Sequence, residues 1–283
     1  MSAIAYVNGA YVPMANAGVS ILDRGFQFAD SIYEVWGVRD GRLFDRAAHM
    51  ARLQRSLSEL RITPPMGQHA LWAVITETAR RNRVRYGLVY LQISRGAAPR
   101  DHVFPNPAVS PTLIITAKNL DRAAIEKRAA AGIKVISTPE QRWARCDIKS
   151  VNLLPNVLAR QHARENGAFE AWFVDADGFV TEGTSSNAFI VDAQGRLRTP
   201  PLSNHILHGV TRSALLEIAR DRQMPVVEQA FTLAEAQSAR EAFISAATNP
   251  AVGIVSLDGV QIGDGKPGPV ANALRAAYLG AGS

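Results

Sequence analysis

Apolar residues recur along this chain in two rhythms. Residues 4–7, 11–13, 32–38 and 42–44 alternate in short runs, which predicts strands. Asn8-Gly9 and Asp40-Gly41 separate the members of each pair, and both dipeptides are hairpin turn signals. After Asp45, placed as an N-cap, Leu53, Leu57 and Leu60 fall at helical intervals. A second helix is expected over 68–83, where Leu71, Val74, Ile75 and Thr78 share one face. Strands at 88–95 and 112–117 flank a proline-rich loop, 96–111. Beyond a break at 119–122 come a strand at 133–137, a helix after Asn152 and strands at 171–174, 179–181 and 188–191. A helix over 210–222, a strand at 242–246 and a last hairpin at Asp258-Gly259 follow. No regular strand–helix–strand rhythm joins them, so the pattern predicts two α+β domains with mixed sheets rather than one doubly wound sheet. The domains are drawn as 1–118, a linker at 119–122, and 123–283.

Composition narrows the class. The 283 residues are 47% hydrophobic and 20% charged, with 21 Gly and 15 Pro, which excludes wholesale disorder and collagen-like repeats. The single cysteine, Cys146, cannot form an internal disulfide and has no thiol partner for zinc, which fits a reducing compartment. With neither a signal-like start nor an apolar stretch near the ~20 residues of a membrane span, a cytoplasmic protein is expected. The net charge of +6 lies entirely in the first 120 residues, where 14 Lys/Arg face 8 Asp/Glu. Arg80-Arg81-Asn82-Arg83-Val84-Arg85 is its densest run. Such a run can contact nucleic acid, but no aromatic platform accompanies it, and cations at a helix C-terminus complement its dipole. Only five basic residues are lysines: Lys118, Lys127, Lys134, Lys149 and Lys266. Where a chain uses arginine so heavily, a lysine points to a need for an amine that can lose its proton.

Several familiar motifs fail on context. Gly263, Gly265 and Gly268 match the dinucleotide fingerprint, but Pro267 and Pro269 interrupt it and too little chain follows, so the segment is read as a turn. His205 and His208 have no carboxylate or thiol close in sequence, and no metal is expected.

Four segments carry chemistry. In Cys146-Asp147-Ile148-Lys149-Ser150-Val151-Asn152, Lys149 sits where extended chain gives way to a helix, and an amine there can form a Schiff base with an aldehyde cofactor and shuttle protons. Val180-Thr181-Glu182-Gly183-Thr184-Ser185-Ser186-Asn187 offers a carboxylate for a pyridine nitrogen and hydroxyls for a phosphate, although a polar hairpin turn has the same composition. His208-Gly209-Val210-Thr211-Arg212 opens a helix, whose first amides suit a phosphate as well as an ordinary cap. In the loop around Arg95-Gly96 to Pro105, extended backbone would turn Arg100 and His102 to one side, a pair suited to a carboxylate.

Together with Asp23 to Asp30, Ser31-Ile32-Tyr33-Glu34 and His49-Met50-Ala51-Arg52-Leu53, these segments resemble, in order, the fold type IV pyridoxal phosphate enzymes, and within them D-amino-acid transaminases. The resemblance implies a two-domain α+β fold and pyridoxal 5'-phosphate as cofactor. It implies Lys149 as the cofactor-bearing lysine and Glu182 as partner of the pyridine nitrogen. It implies Arg52 and the amides of Val210 and Thr211 as phosphate ligands, with Ser186 nearby and Leu207 against the ring. At Ser245-Ala246-Ala247-Thr248, Ala247 stands where many members place a hydroxyl, leaving a backbone amide, with Thr248 beside it, to serve. Ser31 stands where glycine is common. Tyr33, Arg100 and His102 correspond to the substrate-carboxylate trap of D-specific members, Tyr90 lines the pocket, and the trap loop comes from the neighbouring subunit of a homodimer. The implied reaction is ping-pong transfer of an amino group from a D-amino acid such as D-alanine to a 2-oxo acid such as 2-oxoglutarate. Branched-chain L-amino-acid or amine transaminases and aminodeoxychorismate lyase share the scaffold and stand as alternatives. A basic nucleic-acid-binding protein is the alternative from another class.

Overall fold

The computed structural model describes residues 3–280. The chain folds as two compact units, Met1–Arg122 with Ile148–Asn152, and Ala123–Asp147 with Leu153–Ser283.

The first unit contains β1 (Ile4–Val7), β2 (Ala10–Pro13), α1 (Arg24–Phe28), β3 (Ser31–Arg39), β4 (Arg42–Leu43), α2 (Arg46–Glu59), α3 (Gln68–Arg81), β5 (Tyr86–Ser94) and β6 (Thr112–Asn119). Its six-stranded sheet has the order β2-β1-β6-β5-β3-β4. Every neighbouring pair is antiparallel, so the mixed sheet expected here is corrected. Three connections, β1–β2, β3–β4 and the long β5–β6 loop, reverse the chain directly between paired neighbours. The first two turn on Asn8-Gly9 and Asp40-Gly41, all four residues at positive φ. On α2 Leu53 and Leu57 of the expected stripe are buried together with Met50, while Leu60 is the half-buried C-cap, and on α3 Leu71, Ile75 and Thr78 are buried and Val74 half-buried. Asp45 does occupy the N-cap position of α2, but its φ of 53° is left-handed and it makes no side-chain cap bond, contrary to expectation. The basic run closes α3, with Arg80 and Arg81 on Glu77 at 2.6 and 2.8 Å and Arg81 also over the Tyr11 ring.

The second unit contains α4 (Arg122–Ala131), β7 (Ile133–Pro139), α5 (Leu154–Glu165), β8 (Glu170–Val174), β9 (Val180–Gly183), β10 (Asn187–Val191), β11 (Leu197–Thr199), α6 (Val210–Asp221), β12 (Val226–Glu228), α7 (Leu233–Gln237), β13 (Glu241–Ala246), β14 (Asn249–Leu257), β15 (Val260–Gln261) and α8 (Pro269–Gly280). Its sheet runs β12-β11-β10-β13-β14-β7-β8-β9, with β15 on β14. This sheet is mixed: β11–β12, β14–β7 and β7–β8 are parallel. Alternation along β10 and β13 sends Ala188, Ile190, Ala242 and Ile244 into one core with Trp172 and Phe231. Phe189, Val191 and Phe243 enter another with Leu215 and Leu216 of α6 and Leu274 of α8.

The boundary differs in two details from the expected one. β6 extends through Asn119 and α4 starts at Arg122, leaving only Leu120 and Asp121 between them. Ile148–Asn152 groups with the first unit because its backbone is held there. Tyr33 N–H donates to Lys149 O at 2.9 Å and Val151 N–H to Ser31 O at 3.1 Å. No helix among the described residues is long and apolar enough to cross a membrane.

Candidate active site

In the first unit, Lys149 is positioned by its own backbone. Its N–H donates to Ser56 Oγ at 3.3 Å, and the next residue, Ser150, bridges Ile32 of β3. The Lys149 Nζ then lies 4.1 Å from the centroid of the Tyr33 ring. Tyr33 stacks on Tyr90 of the adjacent β5, centroids 5.7 Å apart, as cross-strand aromatic neighbours do. Burial, with the neighbouring Tyr33 hydroxyl, pushes the Tyr90 phenol up to about 12, so it stays neutral at any working pH. Strand alternation puts Tyr33 and Tyr90 on one side of this sheet, and the backbone bond between Tyr33 and Lys149 brings the amine to the same ring.

Arg52 forms a separate group. Its Nη2 lies 2.5 Å from Glu34 Oε1 and its Nε 3.0 Å from Oε2, a bidentate pair. His49 Nδ1 is 3.0 Å from the same carboxylate. Glu34 is fully buried, and although burial pushes its carboxyl up, Arg52 and His49 hold it well below the usual carboxylate range.

Arg100 and His102 form a third group, exposed on their loop. Both rest on the Phe28 ring, at 5.1 and 5.3 Å between centres. The buried Arg24 fixes that loop from below, donating to the carbonyls of Asp101 at 2.5 Å and Val103 at 3.3 Å. Within one chain the described contacts gather Tyr33, Tyr90 and Lys149 together and leave Arg100 and His102 with Phe28.

In the second unit, Glu182 on β9 is the centre of a buried network. The Arg142 guanidinium pairs with it directly and reaches Glu140 Oε2 at 2.6 Å, Thr181 Oγ1 at 3.2 Å and His205 O at 3.1 Å. Asn187 Nδ2 donates to Glu182 Oε2 at 3.0 Å, and the Leu207 amide to both carboxylate oxygens at 3.1 Å. Burial works against the Arg142 charge, but the hydrogen bond to Glu140 and the charge of Glu182 win, so its pKa is raised and the guanidinium stays charged. Arg142, Asn187 and Leu207 all present N–H donors to Glu182, the partners that suit a carboxylate, and a carboxylate can hold a protonated ring nitrogen.

The hydroxyl run after Glu182 is used differently from the sequence reading. Thr184, Ser185 and Ser186 turn their hydroxyls to the buried Glu170 carboxylate, Ser186 Oγ at 3.0 Å, and Arg160 adds an ion pair at 3.0 Å. Ser186 is therefore engaged as a loop anchor. The N-terminus of α6 suits an anion: Gly209 is its N-cap with no side-chain bond, and Val210 and Thr211 contribute amides that a helix leaves without intrahelical partners. A Cβ on Gly209 would collide with Asn187 Oδ1, so only glycine fits there. Leu207 is half-buried beside this N-terminus, and Ala247 and Thr248, also half-buried, lie between β13 and β14. In the first unit a lysine amine beside an aromatic ring suits an aldehyde, and in the second a buried ion-paired carboxylate and an open helix N-terminus suit a phosphorylated pyridine.

Arg142, Asn187, Glu140 and Glu170 were not selected from sequence. Nothing in Gln141-Arg142-Trp143 sets one arginine apart, and Glu170 is distant in sequence from the hydroxyls it binds. The remaining motifs carry no ligand chemistry. Gly263 and Gly265 have positive φ in a turn, and Gly268 makes room for Glu241, whose carboxylate accepts from the first amides of α8. Cys146 Sγ contacts Trp143 O, and burial pushes its thiol up to about 12. Among the described residues no His/Cys/Asp/Glu group could hold a metal ion.

Both units are α+β, and each carries groups of the kind that such a cofactor uses. The chain belongs to the class IV amino-transferases, whose family pattern matches residues 31–257. It is 38% identical over 273 residues to a D-alanine aminotransferase of Staphylococcus haemolyticus, covering 96% of this chain and 95% of that one. It is 38% identical over 263 residues to that of Bacillus licheniformis, covering 93% and 91%. Among solved structures, it superposes on the branched-chain amino acid aminotransferase of Escherichia coli with a TM-score of 0.91 at 25% identity, covering 99% of this chain and 94% of that one. A second branched-chain amino acid aminotransferase, from the source abbreviated T.th. and solved with pyridoxamine 5'-phosphate, gives 0.90 at 27%, with the same coverage.

Proposed function

We propose that this chain is a pyridoxal 5'-phosphate-dependent D-amino-acid transaminase that moves the amino group of a D-amino acid, such as D-alanine, to a 2-oxo acid, such as 2-oxoglutarate. The observation that carries the reading is end-to-end similarity to D-alanine aminotransferases at 36–38% identity. The branched-chain enzymes match at a lower 25–27%.

The cofactor supplies an aldehyde that takes up the amino group and a ring that accepts the electrons released from the substrate's α-carbon. In this reading Lys149 would hold the cofactor at Nζ and, once the substrate's amine has displaced it, would take the α-proton and deliver it to the former aldehyde carbon. Glu182, fixed by Arg142 and Asn187, holds the proton on the ring nitrogen. Arg52 and the Val210 and Thr211 amides hold the phosphate, with Ser186, Leu207, Ala247 and Thr248 as further neighbours. Tyr33, Tyr90, Arg100 and His102 orient the substrate, the two basic residues taking its carboxylate.

The loop of Arg100 and His102 serves a neighbouring subunit in this reading, in a cytoplasmic homodimer. Its support is the first unit's exposed apolar residues Ile21, Phe26 and Val103, each more than 70% accessible, with Val103 on that loop and Phe26 on α1 beside Phe28. Initial rates at several fixed 2-oxoglutarate concentrations test the reaction. Parallel double-reciprocal lines with D-alanine, and pyruvate formed in the amount of D-alanine consumed, are expected. Intersecting lines or no pyruvate would count against it.

A further inference from the structure

On β10 and β13, Asn187 stands opposite Ser245, Phe189 opposite Phe243 and Val191 opposite Glu241. Opposite residues share a face, so Ser245 belongs to the row of Asn187, Phe189 and Phe243. α6 covers that face, because Phe189 and Phe243 pack with Leu215 and Leu216. The Asn187–Ser245 end of the row is where α6 begins. Asn187 Oδ1 closes on Gly209, the N-cap, and Asn187 Nδ2 donates to Leu207 O at 3.0 Å.

Ser245 is 2% exposed, and its Oγ has no hydrogen-bond partner among the described residues. A buried unpaired hydroxyl lowers stability, so its retention points to a partner from outside the chain. The β13–β14 register shifts across this residue, between Ile244 and Ala246, and a bulge of this kind re-aims a side chain. The next two residues, Ala246 and Ala247, offer no hydroxyl.

We infer that Ser245 is an additional ligand of the cofactor's phosphate, donating its Oγ–H beside the first-turn amides of α6. The inference rests on the phosphate reading of that helix N-terminus. It assigns a side-chain donor where Ala247 supplies none.

The test uses the full-length protein stripped of cofactor, with affinities and melting temperatures measured for pyridoxal 5'-phosphate and for pyridoxal, which lacks the phosphate. Ser245→Ala is expected to weaken pyridoxal 5'-phosphate roughly tenfold and to leave pyridoxal unchanged. The cofactor-free variant should melt at or above the wild-type temperature, since it loses only an unpaired hydroxyl. Ser245→Cys, close in size but a weaker donor, should fall between. Unchanged pyridoxal 5'-phosphate affinity in Ser245→Ala, equal loss for both ligands, or a lower melting temperature without cofactor would overturn the assignment. Wild-type protein that binds both ligands equally would instead overturn the phosphate reading of α6, and this inference with it.

Discussion

Replacing Arg142 with Met probes the electrostatic centre of the second unit. The Arg142 side chain is 4% exposed and the Glu182 side chain 6%, whereas Glu140 is 18% exposed. Removing the guanidinium takes that counter-charge from Glu182 and leaves the Asn187 and Leu207 donors in place, while Glu140 can regain water. Breaking a buried pair from one side costs about 3–5 kcal/mol, because the remaining charge stays desolvated. One such charge remains, so Arg142→Met should lose about that much in urea unfolding followed by tryptophan fluorescence. Adding Glu182→Gln removes the stranded charge, and the double variant should be more stable than the two single losses predict, by about 1–3 kcal/mol. A loss below about 1 kcal/mol, or strict additivity, would refute the claim that Arg142 and Glu182 form one electrostatic unit.

Other consequences follow from the same contacts. Lys149→Ala should lower kcat by at least about 10⁴-fold, since both cofactor attachment and proton transfer are assigned to that amine, and near-wild-type turnover would end the assignment. Arg100→Ala should raise KM for D-alanine by roughly 10–100-fold with a smaller change in kcat; an unchanged KM removes it from carboxylate recognition. Because Glu34 titrates below its ordinary 4.5 in the folded state, the unfolded chain takes up that proton first as pH falls, and stability drops from there downward. Glu34→Gln should therefore show a shallower loss of stability below pH 4.5 than wild type, and equal slopes would contradict the Glu34–Arg52–His49 description. Burial raises the Cys146 thiol, so at about pH 8 the native protein should react with iodoacetamide far more slowly than the urea-unfolded chain; equal rates would refute that.

The elements legible in sequence were those with local causes. The Asn8-Gly9, Asp40-Gly41 and Asp258-Gly259 hairpins and the Leu53–Leu57 face follow from turn chemistry and periodicity. α8 was hidden because Pro267 and Pro269 looked like an interruption, whereas Pro269 is its first residue and Glu241, far back in sequence, accepts from its first amides. β14 was hidden by its continuous apolar run, which does not distinguish a buried strand from a helix. Lys149 and Glu182 stood out because their neighbours form ordered motifs. Arg142 and Glu170 did not, since their importance comes from contacts formed across 40 and 14–16 residues of chain. Ser186 shows the reverse case: a hydroxyl chosen for its type is committed to Glu170 once the fold brings that carboxylate beneath it.

The central claim is tested most directly by the visible absorbance of the purified, cofactor-loaded protein before and after D-alanine, with L-alanine and L-leucine added to parallel samples. The account predicts that D-alanine alone converts the yellow form to one absorbing at shorter wavelength, with an equivalent of pyruvate. Conversion by the L-amino acids and not by D-alanine would contradict it.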